Sequence, residues 1–421
     1  MKRPREVEET EPQPRAVGAT AAAAAVATPL RLGIFVTHPI QYFAPLWRAL
    51  AATPGLDLLV HFFSDHSVRG GVDPGFGVQV AWDVPILEGY RHAFIPQPAS
   101  GAAPRSAALP DARRYVDRRR FDVVMIHGYT HRFERQVVRA ARANGVRTVM
   151  RGEFSDVPRR RAPNILKVLA RDLYLRWFYG HIDTFCYIGE EARRHLSRRG
   201  IPPARLFFAP YSVDTALFEA QRTGIARAAA RDALGIGADQ CALLFSGKLI
   251  PRKAPLLLTE ALGLLPATDR IALLIVGDGE LRQRVEATAR ALLGDRLHMP
   301  GFVNQSQLGR YYAAADALVL PSDYETWGLV VNEAMQFGLP AVVSSKVGCH
   351  RDLVLEDQTG MVFEQGNAAA LARCLERLCQ QPGLTARLGE RARAHVASYS
   401  TEASAAGIRR ALGIEHGDSS G

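Results

Sequence analysis

Pro321-Ser-Asp-Tyr-Glu-Thr-Trp-Gly-Leu-Val-Val-Asn-Glu-Ala-Met-Gln-Phe-Gly-Leu-Pro-Ala-Val-Val-Ser344 is the most informative stretch of this 421-residue sequence. It follows an apolar run at 317–320 that reads as a strand, and it opens a helix near Gly328. Two carboxylates, Glu325 and Glu333, stand eight residues apart across that helix start. The opening amides at Gly328, Leu329 and Val330 suit a diphosphate, because they lack helical partners and the helix dipole favours an anion there. Glu333, one to two turns in, is in reach of a diol beside such an anion, and Glu325 lies on its far side.

Outward from this stretch, apolar runs alternate with amphipathic helical patterns, the signature of parallel α/β sheets. Strands are expected at 32–37, 56–63, 123–126, 147–150 and 184–188, then at 242–246, 272–276, 297–300, 317–320 and 341–344. Helical patterns at 44–52, 132–144, 254–265 and 281–293 lie between them. The spacing divides the chain into a tail at 1–29, a first Rossmann-like domain at 30–208, a linker at 209–240, a second such domain at 241–395 and a last helix at 396–412. In open α/β sheets ligands collect at the carboxyl ends of the strands, so the chemistry is sought there.

In the second half, Gly247-Lys-Leu-Ile-Pro-Arg-Lys-Ala254 follows a strand. Gly247 permits a close turn, and Lys248, Arg252 and Lys253 bring positive charge to the edge, where it would stabilise a departing diphosphate; a solvated basic loop is the plainer alternative. Gly277-Asp-Gly-Glu280 is a common βα turn. Pro300-Gly-Phe-Val-Asn304 follows the next strand.

In the first half, Thr37-His-Pro-Ile-Gln-Tyr42 offers Tyr42 to stack on a sugar, and His38 and Gln41 to hydrogen-bond one; it also reads as a strand-to-helix corner with Pro39 near the helix start. His127 ends a strand and is spaced from His131 like a metal pair, yet Gly128 intervenes and no third ligand is evident. Arg151 and Glu153 follow the next strand, either to bind acceptor or donor hydroxyls or to pair with each other. Residues 151–180 carry seven basic side chains against three acidic ones, and the helical pattern at 164–179 has Ile165, Leu169, Leu173 and Trp177 among its apolar positions. Such a helix docks on anionic lipid or packs on its own sheet.

The 321–344 run resembles the E-x7-E signature of the retaining GT-B glycosyltransferases of family 4, and the resemblance covers nearly all of residues 30–412. His-Pro-Ile-Gln-Tyr is similar to a subset of that family. The resemblance implies an α/β fold of two Rossmann-like domains facing across a cleft, with the last helix crossing back to the first domain. It implies transfer of a sugar from a nucleotide diphosphate donor, by family habit UDP, to a hydroxyl acceptor with retention, in cell-envelope polysaccharide, glycolipid or glycoconjugate synthesis. It assigns Arg252 and Lys253 to the leaving diphosphate, Glu333 to the ribose, Glu325 and His127 to the donor sugar, and the backbone around Phe302 and Val303 to the base. Family members with lipid-linked acceptors dock on the membrane through the first domain, here at 159–179. The chain departs from the family at Lys248, often Arg, and at Tyr211-Ser212, often Asn-Gly. An epimerase on the same architecture and a non-catalytic nucleotide-sugar sensor remain as rivals.

Composition agrees with an anionic partner. The net charge is +10, with 52 Lys+Arg against 42 Asp+Glu. No nucleic-acid motif accompanies the charge, so a phosphorylated small molecule or anionic lipid is favoured over nucleic acid. No Asp-x-Asp occurs, which argues against the metal-dependent class; no cofactor or metal is expected. The five cysteines, Cys186, Cys241, Cys349, Cys374 and Cys379, are scattered and odd in number, and read as reduced thiols of a cytoplasmic protein. The glutamates at 6, 8, 9 and 11 break any signal-peptide pattern, and the alanine-rich stretch that follows reads as a disordered tail.

Overall fold

The computed structural model describes residues 28–73, 75–96, 107–109, 111–156 and 165–414. The expected tail thus lies, but for its last two residues, outside the described residues. The apolar runs form two parallel sheets whose strands are buried on both faces; Val123–Ile126 and Ile271–Val276 are buried at every position.

The first sheet runs His92–Phe94, Leu56–Phe62, Leu30–Val36, Val123–Ile126, Arg147–Gly152, Thr184–Tyr187 and Leu206–Phe208. The second runs Leu297–Gly301, Ile271–Val276, Cys241–Ser246, Ala317–Leu320, Ala341–Ser344 and Gly360–Phe363. Each winds outward in both directions from its first long strand. The strand order therefore reverses beside Leu30–Val36 in one sheet and beside Cys241–Ser246 in the other. A crevice opens at such a switch point because the neighbouring connections leave on opposite faces.

The strands expected from the sequence are present with ends shifted by a residue or two. Three short edge strands, His92–Phe94, Leu206–Phe208 and Gly360–Phe363, were not foreseen, nor was a small antiparallel hairpin, Gly71–Val72 with Gln79–Val80. In the stretch 209–240 the chain crosses extended and then forms helices Thr215–Gly224 and Arg227–Ala233, which pack on Gln305–Ala314 of the second half. Asp214 caps the first of these, accepting from the Leu217 amide at 3.1 Å.

The last helix, Thr401–Leu412, packs on Ala44–Ala51 and Leu206–Phe208 of the first half. Arg151 fixes this crossing, and here the structure corrects the sequence reading. Its side chain is buried and turned away from the cleft, donating to the Pro210 carbonyl at 3.0 Å, the Ala209 carbonyl at 3.4 Å and Ser404 Oγ at 3.2 Å. A strand end sets where a residue stands but not which face its side chain takes.

The cysteine reading is also corrected. Cys241 and Cys379 form a disulfide with Cα atoms 5.4 Å apart, while Cys186, Cys349 and Cys374 are free. Cys241 begins a strand and Cys379 ends helix Ala368–Gln380, which lies across that sheet. Their separation of 138 residues hides this contact from the sequence.

Gly407 lets the last helix close on the first half, because a Cβ there would press into the Phe208 carbonyl. Gly407→Ala is expected to destabilise the chain by ~1–3 kcal/mol through overpacking. A lower chemical-denaturation midpoint would register this, and an unchanged one would mean that the helix is not docked as described.

Candidate functional site

The two switch points face each other, and between them lies a cavity of about 410 Å³, within the range of small-molecule sites. Loops from both sheets line it: Gln41 and Tyr42 from the first, and Gly247, Lys248, Arg252, Lys253, Phe302, Val303, Glu325, Gly328, Leu329, Val330 and Glu333 from the second. Glu153 also lines it.

Helix Leu329–Gln336 opens into this cavity. Its N-cap, Gly328, has φ +104, a conformation that glycine adopts without strain. Facing this helix end are two cations, both on one carboxylate. Lys253 Nζ lies 2.6 Å from Glu325 Oε1, and Arg252 Nη1 lies 3.1 Å from Oε2. Ser322 Oγ donates to Oε1 at 3.0 Å. Glu325 is thereby pinned in the cavity wall, and both cations stand beside the helix N-terminus. The backbone behind them is close-packed: a Cβ on Gly277 would overlap the Gly247 carbonyl, so that turn needs glycine.

Glu333 is buried one turn into the helix. Tyr42 Oη, from the first half, donates to Oε1 at 2.9 Å, and Tyr312 Oη donates to Oε2 at 2.5 Å. Burial raises its pKa, the two tyrosine hydrogen bonds and nearby Lys253 offsetting part of the rise. Tyr42 is therefore tied to a carboxylate across the cleft. Glu153 is open to the cavity, and its pKa is raised; desolvation by the surrounding walls is the largest cause, opposed by hydrogen bonds with Thr326 and Tyr211.

Besides Arg151, two expected residues lie elsewhere. His127 lines a neighbouring cavity of about 280 Å³, which shares Glu153 with the first and also holds Thr37, Tyr129 and His131. Its ring packs on Phe43 and Trp47, neither nitrogen has a hydrogen-bond partner among the described residues, and burial drives its pKa well below the usual histidine value. His38 lines neither cavity. Its ring lies 4.4 Å from that of His66, and burial lowers its pKa to about 4.

Sequence reasoning missed Asp73, Phe76 and Trp82, which line the main cavity from the first half, and Trp327. The first three lie on an aperiodic, glycine-containing loop, where no hydrophobic period points inward. Among the described residues no cluster of three or more His, Cys, Asp or Glu side chains could hold a metal.

Helix Ile165–Tyr179 presents an unusual face. Ile165, Leu166, Leu169, Leu173 and Trp177 are 75%, 76%, 55%, 69% and 53% exposed, while only Leu175, Phe178 and Tyr179 are buried. Of the lipid-facing stretch expected at 159–179, residues 159–164 lie outside the described residues. No helix among the described residues is long and apolar enough to cross a membrane.

Two family models match the chain: a glycosyl transferase 4-like domain over residues 39–212 and the glycosyl transferases group 1 over residues 226–395. A D-inositol 3-phosphate glycosyltransferase of Streptomyces coelicolor is 35% identical over 194 residues, covering 44% of this chain and 42% of the relative. The chain spans about half the length of the curated relatives it matches. Among solved structures, the sucrose-phosphate synthase of Thermosynechococcus elongatus aligns with TM-score 0.65 at 20% identity, over 91% of this chain and 98% of that one. Anabaena HepE, solved with UDP and glucose, aligns with TM-score 0.64 at 17% identity, over 92% of this chain and 100% of that one. The first half of the chain is thus a glycosyl transferase 4-like domain and the second a glycosyl transferases group 1 domain, together in the GT-B fold.

Proposed function

We propose that the chain transfers a sugar from a nucleoside diphosphate sugar, UDP in the first instance, to a hydroxyl acceptor with retention of configuration. One observation carries this reading: Lys253, Arg252, the N-terminus of helix Leu329–Gln336 and the buried Glu333 converge on a single cavity. The first three suit a diphosphate and the fourth suits a ribose diol beside it. As the sugar–oxygen bond breaks, the bond pair goes to the diphosphate, and Lys253 and Arg252 stabilise the growing charge. The acceptor hydroxyl adds to the anomeric carbon on the same face and loses its proton to the departing phosphate oxygen. Retention and the choice of UDP follow the family resemblance. Glu325 and Glu153 hold donor or acceptor hydroxyls, and His127 faces the substrate from the adjoining cavity. With two side-chain cations at the diphosphate, the reaction is metal-independent.

The apolar stripe on helix Ile165–Tyr179 suits an anionic bilayer. Its exposed leucines and Trp177 supply buried area, and Lys167, Arg171 and Arg176 outnumber Asp172 for contact with headgroups. A lipid-linked acceptor, cell-envelope or glycolipid synthesis, and a cytoplasmic protein held peripherally on the inner face of the membrane follow from that docking.

Thermal stabilisation against UDP, GDP, ADP, dTDP and their sugars tests the donor. A binder at a hundredfold excess over its Kd adds ~2.7 kcal/mol, and no shift with any of them would sink the reading. Lys253→Ala is expected to lower kcat by ~100-fold or more, with EDTA leaving wild-type turnover unchanged; full activity of the variant overturns the assignment. Proton NMR of the product's anomeric centre reads retention, and a free altered sugar without acceptor would indicate the epimerase.

Glu333 gives a pH signature. Its raised pKa means that it protonates at higher pH than an ordinary carboxyl. Donor affinity is therefore present above that pKa and weakens as pH falls through it, and Glu333→Gln removes the dependence. A wild-type donor KM that stays flat through acidic pH would contradict this.

Leu169→Glu combined with Leu173→Glu is expected to abolish co-sedimentation with phosphatidylglycerol vesicles while leaving UDP binding intact. Wild-type protein that ignores such vesicles excludes docking.

A further inference from the structure

The loop between Gly71 and Asp83 belongs to the first half, yet it is fastened to the second half at both ends. Asp73 Oδ1 lies 2.6 Å from Lys248 Nζ, and the same oxygen accepts from the amides of Gly75 at 2.7 Å and Phe76 at 3.1 Å, so one carboxylate fixes both the turn and the link. At the other end, Asn304 Nδ2 donates to the Ala81 carbonyl at 2.5 Å, and Ser306 hydrogen-bonds Asp83 through its hydroxyl and, at 3.3 Å, its amide. Gly75 allows the close approach, since a Cβ there would stand 2.6 Å from Lys248 Cδ.

Between these fastenings the loop delivers two aromatic rings into the main cavity. The Phe76 ring lies 5.0 Å from Phe302 and nearly perpendicular to it, and the Trp82 ring lies 6.4 Å from Phe302. Lys248 Nζ sits 4.8 Å over the Phe76 ring. Phe76, Trp82, Phe302 and Val303 therefore form an aromatic and aliphatic part of the cavity wall, beside Lys248. Both rings are only partly covered, so each keeps apolar surface for a ligand.

We propose that Phe76 and Trp82 are binding residues of the donor site, which stack on the donor's nucleobase from the first half. The inference rests on the nucleotide-sugar reading of the same cavity and goes beyond it. A planar base is the part of a nucleotide that gains from two aromatic faces, whereas a sugar diphosphate gains from cations and amides. The donor is then read by both halves at once: the diphosphate by Lys253, Arg252 and the helix N-terminus, and the base by the fastened loop. Stacking tolerates any base, so the loop secures a nucleotide as a class, and hydrogen bonds at the Phe302–Val303 backbone choose among bases.

Calorimetric titration of the full chain with UDP and, separately, with inorganic pyrophosphate tests this. Phe76→Ala and Trp82→Ala are each expected to weaken UDP binding by roughly tenfold or more and to leave pyrophosphate binding unchanged, since pyrophosphate has no base. Trp82→Phe, which keeps a ring, is expected to bind UDP within about twofold of wild type, a rescue that loss of folding would not give. Alanine variants that bind UDP as wild type does overturn the proposal while leaving the donor reading intact. Variants that lose UDP and pyrophosphate equally also overturn it, because the loop would then only shape the cleft. Wild-type protein that binds none of UDP, GDP, ADP and dTDP removes the donor reading and this inference with it.

Discussion

Parallel strand direction is the constraint on which this molecule depends. In a wholly parallel sheet every strand delivers its next loop to the same edge, and each return must pass over a face. Reversal of strand order at Leu30–Val36 and at Cys241–Ser246 then leaves one open crevice in each sheet. Segments that are remote in sequence meet there, at 41–42, at Asp73, Phe76 and Trp82, at Glu153, and at 246–253, 276–277, 302–308 and 325–333. Hydrophobic burial fixes the strands, and the site follows as a geometric consequence. This is why the cavity walls carry polar and charged groups that contribute little to folding.

Charge within the cleft is arranged as exchangeable pairs. Lys253 and Arg252 share Glu325, Lys248 holds Asp73, and Glu333 accepts from two tyrosines. A buried cation without a partner would be strongly disfavoured, and so would a buried carboxylate. The carboxylates of the cleft thus keep its cations paired. The diphosphate of the proposed donor would compete with Glu325 for Lys253 and Arg252 and would add the helix N-terminus.

Much of this was legible in the sequence, for identifiable reasons. Core strands such as Val123–Ile126 are continuous apolar runs bounded by turn residues, so their period and length announce them. The loops after them inherit that certainty, and Lys253, Glu325, Gly328 and Glu333 were found as cavity residues for this reason. Edge strands such as His92–Phe94 are three residues long and half exposed, and carry no such signal. Orientation was also hidden. Arg151 and His127 both end strands, but one side chain turns into the crossing segment and the other into the adjoining cavity. The Cys241–Cys379 contact depends on how a helix lies across a sheet, which spacing along the chain does not encode.

Arg151 and the loop at Asp73 define opposite mechanical ends of the molecule. At one end a buried guanidinium binds the crossing segment at Ala209 and Pro210 and the last helix through neutral carbonyl and hydroxyl acceptors. Breaking those bonds would strand an unpaired buried charge, so this end resists opening. At the other end the halves meet through partly exposed polar bonds, Asp73 with Lys248 and Asn304 with Ala81, and water can replace each of these at small cost. The two halves are thus joined through a buried guanidinium at residues 209–210 and through partly exposed polar bonds at Asp73 and Ala81. Glu333 adds a third link, since it accepts from Tyr42 of the first half and Tyr312 of the second.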